Sequence, residues 1–157
     1  TETLSKKAFI KTLNSNIASI PHVQGVNNHM GSFLTTQKQQ MTWVMQELAK
    51  KQLYFIDSFT HPDSLAFYTA KRFNLATGKR DVFLDNDANE KAIEQAFQLL
   101  IKRAHQQGFA IAIGHPYPET MSVLERELAK LKQYNVQLLP VSKLINATGP
   151  LHQASNP

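Results

Sequence analysis

The stretch Phe109-Ala-Ile-Ala-Ile-Gly-His-Pro116 decides the fold class of this 157-residue chain. Its first five residues are apolar without polar alternation, which is typical of a parallel β-strand that is covered on both faces. Other short runs of the same kind recur at intervals of about 26–30 residues, the length of a strand followed by a helix. The predicted strands cover residues 23–27, 53–57, 81–85, 109–114 and 136–141.

Amphipathic segments fill the intervals between these strands. In the segment 37–51, apolar residues recur at the spacing of one helix face, and Thr36 with Gln39 has the spacing of a capping box at its start. The predicted helices cover residues 3–18, 37–51, 63–74, 89–107 and 118–133. Alternating βα units with a parallel sheet define an α/β fold. The pattern leaves open whether they form a doubly wound sheet or part of a (β/α)8 barrel.

Composition excludes several classes of protein. The chain has no cysteine, so it has neither a disulfide framework nor a thiolate metal site. No apolar run approaches 18 residues, which argues against a membrane span. The net charge of +5 is spread over isolated basic pairs rather than one dense basic face, so nucleic-acid binding is not expected. No glycine-rich nucleotide-binding loop follows a predicted strand.

Polar side chains follow the predicted strands, at 27–29, 57–58, 85–87 and 114–116. Ligands of α/β proteins bind beyond the carboxyl ends of parallel strands, so these residues are expected at one edge. Asp and Asn also cap helices, which gives Asp85 and Asp87 a structural explanation. Histidine is a poor cap, and His29 and His115 are therefore the more informative residues.

Four segments in this order resemble the divergent polysaccharide deacetylase family. They are Gly25-Val-Asn-Asn-His-Met-Gly-Ser32, Leu53-Tyr-Phe-Ile-Asp-Ser58, Arg80-Asp-Val-Phe-Leu-Asp-Asn-Asp87 and Ala110-Ile-Ala-Ile-Gly-His-Pro-Tyr-Pro-Glu-Thr120. The resemblance implies a deformed (β/α) barrel of the NodB-like, glycoside hydrolase/deacetylase type. It also implies that residues 1–145 are the C-terminal portion of the domain, because the family's opening strand with an Asp-Asp pair does not occur here. Residues 146–157 are expected to form a flexible tail.

The resemblance also implies a site. Related deacetylases hold a divalent metal with an Asp and two His residues, and zinc is the metal expected here. By motif match, His29, His115 and Asp57 are the expected metal ligands, and Asp57 and His115 are the expected catalytic residues. Asp57 has the alternative role of orienting a histidine. Asn27, Asn28 and Ser58 are expected to donate hydrogen bonds to substrate.

Two functions follow from the resemblance and stay open. The first is a hydrolase that removes N-acetyl groups from cell-envelope carbohydrate, acting on C–N amide bonds in the bacterial periplasm or outside the cell. The second is a non-catalytic module that binds glycan or protein. The isolated chain is expected to be inactive, and self-association is expected through the open sheet edge beside residues 23–27.

Overall fold

The computed structural model of the chain describes residues 5–147. These residues divide into two compact units, one of residues 5–79 with 145–147 and one of residues 80–144. The helices are α1 Lys6–Ala18, α2 Ser32–Thr35, α3 Lys38–Lys50, α4 Ala66–Arg72, α5 Glu90–Gln107, α6 Pro118–Leu128 and α7 Val141–Ala147. The strands are β1 Gly25–Asn27, β2 Tyr54–Asp57, β3 Thr77–Lys79, β4 Val82–Phe83 and β5 Ala112–Ile113.

The first unit is built on a parallel sheet in the order β1-β2-β3. Gly25 lies opposite Tyr54 in the register, and a Cβ at Gly25 would overlap the ring of Tyr54. Glycine therefore lets the ring lie against the β1 backbone. The main apolar cluster of the unit includes Met45 and Leu48 of α3, both fully buried, and Phe55 of β2. This burial fixes α3 against the sheet that contains β1 and β2.

The second unit pairs β4 with β5 in parallel and packs α5 with α6. The ends of α5 follow from sequence. The Asn89 side chain caps its start by accepting from the amide of Ala92, and Gly108 ends it in the left-handed conformation at φ +83°. Ile93 and Phe97 lie one turn apart on its buried face. Pro118 begins α6 at a position that needs no N–H donor.

The predicted α/β class with parallel strands is confirmed. The predicted strand at 136–141 is wrong, because no residue of that segment pairs with another strand in the described part of the chain. The amide of Val136 donates instead to the carbonyl of Leu131, and the carbonyl of Pro140 accepts from Lys143 and Leu144 as α7 begins. Both ends of the segment are therefore committed to a turn and a helix.

Other boundaries also differ. The capping box at Thr36 is wrong, because the Thr36 hydroxyl donates back to the carbonyl of Phe33 and α3 begins at Lys38 without a side-chain cap. The predicted helix 118–133 ends at Leu128. The strand at 77–79 was missed, and the predicted strand 81–85 is reduced to Val82–Phe83. Of the tail predicted at 146–157, residues 146 and 147 end α7, and the rest lies outside the described residues.

None of the helices in residues 5–147 combines the length and the apolar character needed to cross a membrane.

Candidate active site

In the first unit, β1 and β2 end side by side and bring polar residues together. Asn27 lies opposite Ile56 in the parallel register, so the residues that follow each strand are level. The amide of Ser58 donates to Asn28 Oδ1 at 2.8 Å, and Asn27 Nδ2 donates to Ser58 Oγ at 3.2 Å. The three residues predicted to bind substrate thus form one hydrogen-bonded group, called here the amide cluster.

The amide cluster contains an unsatisfied donor. The Nδ2 atom of Asn28 is buried and has no hydrogen-bond partner among the described residues. Buried side-chain amides are normally satisfied, since an unpaired donor costs about 1–3 kcal/mol. A ligand oxygen that reached this atom would remove the penalty, so Asn28 is suited to binding a polar substrate.

Asp57 is fully buried at the end of β2 and organises the loop that follows. Its Oδ1 accepts from the amide of Phe59 at 2.8 Å, and its Oδ2 accepts from the Ser64 hydroxyl at 2.8 Å and the amide of Phe67 at 3.2 Å. Each of these donors belongs to the chain just after Asp57. The carboxylate therefore acts as an anchor for the β2–α4 connection, a role that the sequence did not indicate.

The ends of β1 and β2 are each followed by a residue with an unusual backbone conformation. Met30 has φ +51° and Phe59 has φ +48°, values that bulky side chains rarely adopt. Such strain persists only where the surroundings impose it, and it concentrates at functional sites. His29 is exposed next to Met30, whose side chain is 91% exposed, and the ammonium of Lys79 lies 4.4 Å from the centre of the Phe59 ring.

In the second unit, Asp85 and His115 form a pair at the ends of β4 and β5. The register sets Phe83 opposite Ile113, so the residues two positions later are also level. The imidazole Nδ1 lies 3.0 Å from Asp85 Oδ1, and the backbone amide of His115 donates to Asp85 Oδ2 at 2.5 Å. Because an ionised carboxylate only accepts, Nδ1 carries the proton, and Nε2 is the nitrogen that can exchange a proton with a substrate.

Asp85 is held ionised in a buried position. Burial by itself raises the pKa of its carboxyl, but the hydrogen bonds from the His115 backbone and ring and from the Thr120 hydroxyl outweigh it. The pKa therefore lies below its ordinary value of 3.8. The Thr120 hydroxyl donates to Oδ2 at 2.8 Å, and a Cβ at Gly114 would come within 3.2 Å of the same oxygen. Glycine at 114 thus leaves room for the carboxylate beside β5.

Aromatic rings pack on the His115 imidazole. Tyr117 stacks on it with ring centres 5.0 Å apart and planes at 28°. Phe83 lies 5.7 Å away at 36°, and the guanidinium of Arg80 lies 5.3 Å from the centre of the Phe83 ring. The imidazole is therefore fixed by a carboxylate at one edge and by rings on its surface, a preorganised arrangement for proton transfer.

The expected site residues fall in two groups. Asn27, Asn28, Ser58, Asp57 and His29 belong to the first unit, and His115 belongs to the second with Asp85. Among residues 5–147, no three His, Asp or Glu side chains come together as a group that could hold a metal ion. The assignment of His29, His115 and Asp57 as metal ligands stays a prediction.

Sequence reasoning gave Asp85 too little weight and passed over Thr120, Tyr117 and Phe83 as parts of the site. A usable signal existed for Asp85. It follows its predicted strand as His115 follows the next one, and neighbouring parallel strands place such residues level. No comparable signal marks Thr120 or Tyr117, since their contacts depend on how α6 starts after the turn.

The chain belongs to the divergent polysaccharide deacetylase family, whose sequence model matches residues 1–145. Two curated relatives support this membership. The chain is 36% identical over 143 residues to the uncharacterized protein YibQ of Escherichia coli, covering 91% of this chain and 44% of YibQ. It is 42% identical over 121 residues to an uncharacterized protein of Haemophilus influenzae, covering 76% of this chain and 42% of that protein. The chain thus spans less than half the length of these relatives.

A solved structure supports the fold. The chain resembles the crystal structure of the uncharacterized protein ATU2773 from Agrobacterium tumefaciens with a TM-score of 0.87 and 25% sequence identity. The match covers 90% of this chain and 58% of that chain. This agreement confirms the predicted α/β class for nearly the whole chain.

Proposed function

We propose that the protein hydrolyses the acetamide C–N bond of an N-acetylated cell-envelope carbohydrate. The observation that carries this proposal is the His115–Asp85 pair. Asp85 keeps the proton on Nδ1 and orients the ring, so Nε2 is the atom that transfers a proton at the reacting group. Family membership supplies the substrate class, and the chemistry rests on the pair.

The reaction balances as a hydrolysis. Water adds to the acetamide carbonyl carbon, the C–N bond breaks, and the products are acetate and the free amine of the sugar. Nε2 of the neutral imidazole takes a proton from the attacking water as the carbon–oxygen bond forms, and the imidazolium then gives this proton to the leaving nitrogen, which would otherwise depart as an unstable amide anion. The remaining acidic proton passes to solvent, which leaves acetate as the second product. Asp85 stabilises the imidazolium before this transfer, because its buried carboxylate lies 3.0 Å from Nδ1.

Within the first unit, the amide cluster is proposed to bind a polar group of a carbohydrate. Asn28 Nδ2 supports this role because it is a buried donor without a protein partner in the described residues. Sugar hydroxyl and acetamide oxygens are acceptors that suit it. The substrate class in turn points to the bacterial periplasm or the cell exterior as the place of action, where N-acetylated envelope glycans lie.

Acetate release from N-acetylated oligosaccharides by the natural protein at full length tests this proposal. His115→Ala is expected to lower the rate by about a hundredfold or more, since positioned proton transfer contributes about 10²–10⁴. The matched control is His105→Ala, an exposed histidine of the same unit whose Nε2 contacts the carbonyl of Tyr134. Equal rates in the two variants would contradict the proposal.

A metal assay tests the ligand assignment separately. If His29 and His115 bind zinc, as the resemblance implies, replacing either with Ala lowers the zinc content of the purified full-length protein. Unchanged zinc in both variants would remove these residues as ligands while leaving the role of His115 in proton transfer to the rate assay.

A second candidate function is glycan binding without catalysis. It is favoured by the Asp57 carboxylate, which is buried and accepts three hydrogen bonds from its own loop instead of facing a substrate. Binding of N-acetylated oligosaccharide with no acetate release under any metal supply would select this candidate.

A further inference from the structure

Tyr117 is a large aromatic residue that the fold leaves partly uncovered. It is 42% exposed, although it directly follows the His115-Pro116 pair of the candidate site. Its ring stacks on the imidazole with centres 5.0 Å apart. Stacking of this kind is favourable, but burying the ring as well would stabilise the fold further. Its exposure beside the proposed acid is therefore unlike that of a core aromatic.

The backbone around Tyr117 is rigid. Prolines at 116 and 118 flank it, and a residue before proline is restricted to extended conformations. Tyr117 itself has φ −70° and ψ 148°. An aromatic ring on such a backbone loses little conformational freedom when a ligand packs on it, which is a property of preorganised binding residues.

Tyr117 also occupies a position that helix stability would give to another residue. It is the N-cap of α6, and its side chain makes no capping hydrogen bond. Ser, Asp or Asn at an N-cap stabilises a helix, because the side chain accepts a hydrogen bond from a backbone amide of the first turn. A residue that occupies a capping position without capping the helix is typical of a functional site, where local stability is given up for binding or catalysis. The imidazole does not depend on Tyr117 alone for its position, because Asp85 and Phe83 also hold it.

We infer that Tyr117 is a substrate-binding residue that packs against the apolar face of a pyranose ring, beside the acetamide that meets His115. This inference rests on the proposed function, since it places the sugar at the same site. A pyranose has C–H groups on its faces and hydroxyls around its rim. An exposed aromatic ring can therefore pack against its face, and polar side chains can form hydrogen bonds with the hydroxyls of its rim.

The inference sets a substrate preference. An acetamide carried on a sugar ring gains the contact with Tyr117, whereas an acetamide on a flexible chain, such as N-acetyl-lysine, does not. The site should therefore select N-acetylated oligosaccharides over small acetamides by affinity. The same selectivity should disappear when the aromatic ring is removed.

Calorimetric binding of tri-N-acetylchitotriose to the full-length protein tests the inference, with acetate release measured on the same samples. Tyr117→Ala is expected to weaken binding about tenfold, and Tyr117→Phe to stay within about twofold of the unsubstituted protein, because the ring face and not the hydroxyl makes the contact. The matched control is Tyr68→Ala, which removes a tyrosine that is 60% exposed on α4. Its affinity should be unchanged.

Several outcomes would overturn the inference. They are the absence of binding by the unsubstituted protein, equal affinity in Tyr117→Ala, and a loss in Tyr117→Phe as large as that in Tyr117→Ala. Thermal unfolding of each variant separates loss of the contact from loss of the fold. N-acetyl-lysine should bind the Tyr117→Ala and unsubstituted proteins equally.

The two proposals fail in different ways. If oligosaccharide binding depends on Tyr117 but no acetate is released, the proposed hydrolysis is wrong and the contact between Tyr117 and the sugar is supported. If acetate is released and the KM for the oligosaccharide is unchanged in Tyr117→Ala, the hydrolysis is supported and the contact between Tyr117 and the sugar is wrong. In Asp85→Asn, release should fall while oligosaccharide affinity is retained.

Discussion

Two aspartates at strand ends show how residues of one type are put to different uses. Asp57 and Asp85 are both buried, and each accepts a hydrogen bond from a hydroxyl, that of Ser64 in the first case and that of Thr120 in the second. The remaining acceptor capacity differs. Asp57 takes two backbone amides of its own loop, whereas Asp85 takes both the amide and the ring of His115. Only Asp85 is therefore coupled to a group that can move a proton.

Replacing Asp85 tests this coupling. In Asp85→Asn the amide cannot accept at both positions, so the imidazole loses its fixed tautomer and orientation. Acetate release is expected to fall by about a hundredfold, within the range for positioned acid–base groups. Asp87→Asn, an exposed residue of the same turn, is the control and should keep its rate. Retained activity in Asp85→Asn would contradict the assignment of Asp85 as the residue that orients His115.

Replacing Asp57 tests its role as an anchor. Asp57→Ala removes the two carboxylate oxygens that accept three hydrogen bonds, two of them buried, and we expect the free energy of unfolding to fall by about 2–4 kcal/mol. Asp63→Ala is the control, because its side chain is 83% exposed in the same connection. Urea unfolding followed by circular dichroism measures both. A loss no larger than that of the control would show that the loop does not depend on this carboxylate.

At the scale of elements, each unit joins two helices through a buried glutamate. In the second unit, Glu127 of α6 is fully buried and accepts from the Tyr134 hydroxyl at 2.6 Å and from Gln98 of α5 at 3.2 Å. Lys130 lies 2.6 Å from the other oxygen. The first unit repeats the arrangement with Glu47, Lys50 and Asn14. A charge buried in this way costs free energy unless each partner is kept.

Glu127→Gln is expected to destabilise the protein by about 2 kcal/mol, because hydrogen bonds to a charged group become weaker ones to a neutral amide. Glu125→Gln on the exposed side of α6 removes the same charge and should change the urea midpoint little. Similar midpoints for the two variants would mean that the buried carboxylate does not hold α5 and α6 together.

The same residue gives a pH dependence with a definite sign. Hydrogen bonds from Lys130 and Tyr134 hold the pKa of Glu127 below its ordinary value of 4.5. Its stabilisation is therefore fully present above that value and is lost as the pH falls through the lowered pKa. The difference in unfolding free energy between the unsubstituted protein and Glu127→Gln should shrink on acidification. A difference that is constant from neutral to acidic pH would contradict this linkage.

At the scale of the whole molecule, the outer edge of β1 is the surface at which we expect association with other chains. In the described residues β1 is the end strand of the sheet β1-β2-β3, and no strand pairs with its other side. Unpaired strand edges are sites of association with other chains. The self-association predicted from the sequence is expected at this edge.

Sedimentation of the 157-residue chain over a range of concentrations should show reversible association. Gln24→Lys puts a charge beside β1 and should weaken it, because charged residues next to an edge oppose strand addition. Gln106→Lys, exposed at the end of α5, adds the same charge elsewhere and should have no effect. A monomer at every concentration, or equal effects of the two variants, would remove the edge of β1 as the contact.

The alternation of strands and helices followed from local pattern, and so did the extent of α5, predicted at 89–107 and found at Glu90–Gln107. Both depend on neighbours in the chain, and family membership was readable because the strand-end motifs are contiguous. The segment 136–141 shows the limit of such reasoning. Its apolar residues suit a strand, but a strand also needs a partner, and its end groups bond to a turn and to α7 instead.

The sequence by itself determined the α/β class and the family and singled out His115 as a candidate, since each rests on residues close together in the chain. Only the tertiary structure decided that Asp85 holds His115, that Asp57 anchors its own loop, and that Tyr117 stays uncovered beside the imidazole. The physical reason is that partners 30 residues apart, such as His115 and Asp85, are chosen by the register of parallel strands and by the direction in which α6 begins. Long-range packing sets both.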